Sequence, residues 1–172
     1  MFSLLDFSQC SCLEEKINLA YTVFKNDFSE TQCFLRDIFI DIKNRQKIKI
    51  ENMEVEEVFW HIISRKNNGK REFDILRAER IGWIKAIFLN YNNVRLVKLF
   101  YFFEKTGQIR LYLWLYQYDF VVILEKIITS SKKAFIVTSF YIDNLKKKNS
   151  FQKKYIDYIA KNDKRLINCE WF

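Results

Sequence analysis

The chain has 172 residues and a mass of 21.0 kDa, enough for one domain built on a single core. Apolar and aromatic residues make up 49% of it, and 3 Gly, no Pro and 17% aromatics exclude collagen, mucin-like stalks and disorder. Twenty-nine Lys and Arg against 21 Asp and Glu leave a net charge of +8, which fits a polyanionic partner without specifying one.

Cys10, Cys12, Cys33 and Cys169 lack zinc-ligand spacing, and only one His exists to complete a set. The expectation is four reduced thiols and no metal or other cofactor. Without a basic n-region or an 18-residue apolar run, the chain reads as cytoplasmic, with no membrane partner.

In chain order, Leu13, Ile17, Ala20, Tyr21 and Phe24 have helical spacing, predicting an amphipathic helix over 13–26. A second short helix is expected over 30–40 and a short strand over 46–50. Residues 56–63 (EEVFWHII) are rich in β-branched and aromatic side chains and read as a strand. Residues 64–75 contain Asn67-Asn68-Gly69 and read as a basic, mobile loop. A helix follows over 76–90, with Gly82 as an alternative start.

The second half changes character. Residues 94–103, 108–117, 119–128 and 134–142 read as four strands separated by Lys105-Thr106-Gly107, Tyr118-Asp119 and Thr129-Ser130-Ser131-Lys132. A Lys-rich amphipathic helix is expected over 144–164. The fold class is therefore α+β: N-terminal helices on a four-stranded antiparallel meander, then a C-terminal helix. One domain, 1–172, comprises a helical part (1–50), a core (51–145) and the C-terminal helix (146–172).

Within the second strand, Ile109, Leu111, Leu113 and Leu115 share one face; Arg110, Tyr112, Trp114 and Tyr116 share the other. The second face has two readings. It is either a cation among π-surfaces suited to single-stranded nucleic acid, or a second core covered by helices.

No Gly-rich phosphate loop and no acidic metal cluster can be assembled. His61 is the only His, and it reads either as a structural residue or as an acid–base group. Arg65 and Lys66 follow it, then Lys70, Arg71, Arg77, Glu79 and Arg80. A His, a carboxylate and cations at one loop are the parts that cleave RNA without metal. One group takes the 2′-OH proton, another protonates the leaving oxygen, and cations hold the phosphorane charge.

The ordered set Phe59-Trp60-His61-Ile62-Ile63-Ser64, Phe73-Asp74, Arg77-Ala78-Glu79-Arg80-Ile81, Trp83-Ile84-Lys85, Arg110-Leu111-Tyr112-Leu113-Trp114, Asp119–Leu124 and Thr138-Ser139-Phe140-Tyr141 resembles a known group. It is similar to the phage and mobile-element branch of the barnase–EndoU–colicin–RelE (BECR) superfamily of ribonuclease toxins. The likeness covers residues 56–142, with a weaker echo in Phe24–Phe28. Gly82 departs from it, standing where relatives carry Pro.

The resemblance implies a metal-independent, toxin-type endoribonuclease acting on RNA by transphosphorylation. Its catalytic set would be His61, Glu79, Arg80, Arg110, Thr138 and Tyr141. Arg65, Lys66, Arg77, Tyr112 and Trp114 would bind the nucleic acid. Glu79 is either the base, a group orienting Arg80 or a cap of the helix start, and strand parity separates Thr138 from Tyr141 unless a bulge or strand end intervenes. An antitoxin or immunity protein would be the neutralising partner. The alternative is a non-catalytic module that binds nucleic acid or a host protein.

Overall fold

The computed structural model describes residues 2–42, 46–127 and 132–171. Helix α1 (Leu13–Phe24) buries Ile17, Ala20 and Phe24 and runs into a π-turn, Lys25–Ser29, that carries Phe28 into the same core. Residues 30–40 do not form the expected helix. They make a hairpin of β1 (Phe34–Leu35) and β2 (Ile38–Ile40), reversed at Arg36 with φ 57°. The i, i+4 pair Phe34 and Ile38 suggested helix, but Ile40 is held beside Ala134 of the main sheet, and pairing overrides propensity.

Strands β3 (Lys47–Ile50) and β4 (Met53–Glu56) form a second hairpin that leads into α2 (Glu57–Ile63). The strand expected over 56–63 is thus a helix. Val58, Phe59, Ile62 and Ile63 are buried together, the i, i+1, i+4, i+5 pattern of one helical face. The expected loop at 64–75 is also ordered, as β5 (Ser64–Asn67) and β6 (Lys70–Phe73). Asn68 and Gly69 both have positive φ, 47° and 85°, the requirement of a two-residue type I′ turn.

The single helix expected over 76–90 is broken into α3 (Ile75–Ala78) and α4 (Trp83–Leu89), and the alternative start at Gly82 is the one found, with Gly82 preceding α4. Between them Ile81 N–H donates to Ala78, Trp83 to Arg80 and Ile84 to Ile81, all i to i−3. Ala78, Ile81, Ile84 and Ile87 recur every three residues and are fully buried. That period suits a tight 3₁₀-like turn, not a 3.6-residue helix.

The rest forms β7 (Val97–Phe103), β8 (Ile109–Leu115), β9 (Phe120–Ile127), β10 (Lys133–Tyr141) and α5 (Leu145–Ile159), then a 3₁₀ turn at Lys164–Leu166. The fold is α+β, but the sheet has six strands, in the order β1-β2-β10-β9-β8-β7. All neighbours are antiparallel except β2 and β10, so β1 and β2 extend the expected four. Residues 128–131, which hold most of the last expected turn, lie outside the described residues.

One core face carries Leu111, Leu113, Leu115, Val122 and Leu124, covered by α1, α2 and α4. The other carries Phe100, Tyr112, Trp114, Val121 and Ile123, covered by α5 through Phe151. Tyr112 and Trp114 are only 3% and 0% exposed, so the second-core reading of that face holds. Neither ring can stack a base while α5 is in place.

Replacing Phe151 by Ala removes the anchor of α5 and is expected to cost about 3–5 kcal/mol. Urea titration followed by tryptophan emission checks this; unchanged stability would contradict the packing described. Burial, with hydrogen bonding to a carboxylate, raises the Tyr21 and Tyr158 hydroxyls to about 12, from an ordinary value of 10. The folded state therefore holds protons that the unfolded chain loses. Stability should be insensitive to these groups below pH 10 and fall between pH 10 and about 12. Melting curves across that window test the sign.

Candidate nucleic-acid interface

Ser64 ends α2 and begins β5. It is fully buried, and its hydroxyl donates to the Trp60 carbonyl one turn back. From this anchor the β5–β6 hairpin leaves the core, and every residue from Arg65 to Lys70 is exposed. Residues 64–77 hold five cations (Arg65, Lys66, Lys70, Arg71, Arg77) against Glu72 and Asp74. Glu72 is engaged by Asn67, whose amide donates to it at 3.0 Å. The register sets Lys66 directly opposite Arg71, a same-face pair of like charges. Such a pair weakens a hairpin.

At the hairpin's base, guanidiniums converge on few acceptors. Arg77 Nη1 donates to the Ser64 carbonyl at 2.8 Å, and Arg71 Nη1 reaches the same oxygen at 3.4 Å and Ser64 Oγ at 3.2 Å. Asp74, 9% exposed, lies 3.2 Å from Arg65 Nε and 3.6 Å from Arg77 Nε. It also caps α3 by accepting from the Arg77 backbone N–H at 3.3 Å. Burial above all lowers the Arg77 pKa, and the cations Arg71 and Arg65 add to this against the raising effect of Asp74.

The other expected site residues divide between the two faces of the sheet. Arg80 is packed inward, its guanidinium 4.8 Å from the Tyr141 ring centroid and 5.1 Å from that of Trp83. It donates to the Leu76 carbonyl at 2.6 Å and pairs with Glu79 at 3.6 Å. Tyr141 pairs with Phe120, on the face covered by α1, α2 and α4. Thr138 pairs with Ile123, on the α5 face; the β10 bulge falls between Ile136 and Thr138 and leaves this parity unchanged. Arg110 shares the α5 face, bound to Glu125 at 2.8 Å. Arg110 and Thr138 are thus separated by the sheet from Tyr141 and Arg80.

His61 lies in the last turn of α2, its side chain 21% exposed and its Nε2 3.5 Å from Glu57 Oε1. The i, i+4 spacing that makes this pair appeared only once the segment was seen as helix. Asp74 was also missed as an anchor. Its signal was an Asp closing a strand three residues before Arg77, at a helix start. A cavity of about 230 Å³ lies at the end of α5, lined by Tyr158, Ile159, Leu166 and Ile167 and by none of these arginines.

Among the described residues no three or more His, Cys, Asp or Glu are grouped to hold a metal ion, and no helix is long and apolar enough to cross a membrane. Asp74→Ala removes both a helix cap and the carboxylate beside half-buried Arg77; the loss should be roughly 3–4 kcal/mol, measured by urea denaturation. No protein-family model, curated protein or solved structure matches the chain.

Proposed function

We propose that this protein binds nucleic acid, RNA foremost, through the β5–β6 hairpin and the arginines at its base. The observation that carries this reading is the cross-strand pair Lys66 and Arg71. The register sets these two cations side by side, and a phosphate chain lying across the hairpin would be attracted to both. Arg65, Lys66 and Lys70 are exposed for that contact, and Arg71 and Arg77 give the surface a fixed base.

A second reading adds cleavage, as expected for a BECR-type ribonuclease. It is favoured by His61, whose imidazole faces Glu57 beside the strand that begins the hairpin. A carboxylate 3.5 Å from Nε2 orients the ring. In this reading His61 moves the 2′-OH proton, and an antitoxin would have to cover the basic hairpin.

Anisotropy with a labelled RNA oligonucleotide at several salt concentrations tests the first reading. Binding should weaken as salt rises, and Lys66→Ala with Lys70→Ala should flatten the slope by roughly 0.7 per lysine removed. An unchanged slope would sink it. For the second reading, wild-type protein should convert RNA to products ending in a 2′,3′-cyclic phosphate, and His61→Ala should lose at least a hundred-fold in rate, roughly the general acid–base contribution. Binding without products, or full cleavage by His61→Ala, would refute it.

A further inference from the structure

Resting on the nucleic-acid reading, we infer that Phe140 with Arg77 and Lys147 forms a nucleotide subsite that selects single-stranded over duplex nucleic acid. Phe140 lies at the end of β10, half-buried, on the face that α5 covers. Two cations from separate elements meet at its ring. Lys147 Nζ, in the first turn of α5, is 4.3 Å from the centroid, and Arg77 Cζ, from α3, is 5.7 Å away. Both elements are fixed where they approach the ring. Asn144 caps α5 by accepting from the Lys147 backbone N–H at 2.8 Å, and Arg77 is held by Ser64 and Asp74.

Arg77 thereby belongs to two surfaces at once. Its contacts with Ser64 place it at the base of the basic hairpin, and its guanidinium reaches the Phe140 ring. A strand whose phosphates follow the hairpin is brought past Phe140. An unpaired base can then stack on the ring in place of Lys147 Nζ, which turns to the adjoining phosphate. An aromatic face flanked by cations is the combination that single strands use, and it reads no particular base. In a duplex the base faces are already stacked and cannot reach a half-buried ring. Tyr112 and Trp114 of β8 cannot serve, because they are 3% and 0% exposed under α5, whereas Phe140 is only half-buried.

The test compares a labelled single-stranded oligonucleotide with a hairpin duplex of equal length, by anisotropy, for wild type, Phe140→Leu, Phe140→Tyr and Lys147→Glu. Wild type should prefer the single strand. Phe140→Leu should weaken that binding roughly ten-fold or more, with duplex binding unchanged, and Phe140→Tyr should keep it. Lys147→Glu, a substitution on the outer turn of α5, should weaken single-strand binding even if Phe140→Leu proves poorly folded. Equal wild-type affinity for the two probes, or no selective loss in Phe140→Leu and Lys147→Glu, overturns the subsite while hairpin binding stands. Absence of all binding by wild type overturns both.

Discussion

Both faces of the six-stranded sheet are covered, and that packing constraint decides which side chains meet solvent. On one side α1, α2 and α4 bring Phe24, Phe59 and Ile84 into the same core as Leu111, Leu113 and Val122. On the other, α5 sets Phe151 against Tyr112 and Trp114, ring centroids 5.8 and 5.9 Å away. A sheet covered twice needs apolar residues at successive positions, as β9 has from Phe120 to Leu124. Polar chemistry is displaced to the segments that leave the sheet: the β5–β6 hairpin, the end of β10 and the start of α5. Lys98 shows how completely the aromatic face turns inward. Its ammonium lies 3.5 Å from the Tyr116 centroid and about 5 Å from those of Trp114 and Tyr155, and it donates to Gln152. Burial first, and Lys148 nearby, lower its pKa.

The alternation in 109–115 and the Lys-Thr-Gly turn before it made the strands of the second half readable, because a two-residue period survives whatever lies above the sheet. Residues 56–63 failed for a related reason. Their β-branched and aromatic content describes a buried surface, and a helix lying on β10 offers one as readily as a strand does. A continuous helix over 76–90 failed on period, since Ala78, Ile81, Ile84 and Ile87 recur every three residues, but the alternative start at Gly82 held. The basic residues around 65–77 were legible as a run of charge. That Arg80 reaches Tyr141 and Trp83 on one face of the sheet while Arg77 reaches Phe140 on the other was not legible. It depends on the broken helix between them, which neither charge nor hydropathy records.

The hairpin's charge is concentrated by a deliberate shortage of carboxylate at its base. Asp74 caps α3, pairs with Arg65 and pairs with Arg77, so a single buried acid ties the hairpin to the helix. Removing it would strand a half-buried guanidinium; adding a second acid would neutralise the surface that emerges above it. The arrangement fixes Arg77 and Arg65 through one carboxylate, with the exposed Lys66 and Lys70 on the hairpin above it.

The net +8 is unevenly placed along the chain. Residues 64–77 hold five cations against two carboxylates, and residues 144–160 hold five against Asp157 alone. These stretches are remote in sequence, yet Arg77 of one and Lys147 of the other reach the same ring of Phe140. Like charges brought together across a fold raise the local potential and cost stability, unless an anion shares the place or a π-face stands between them. Phe140 supplies the π-face. Asp74, 3.6 Å from Arg77 Nε, supplies an anion, so the ring and the carboxylate together hold the two cations where the chain brings them.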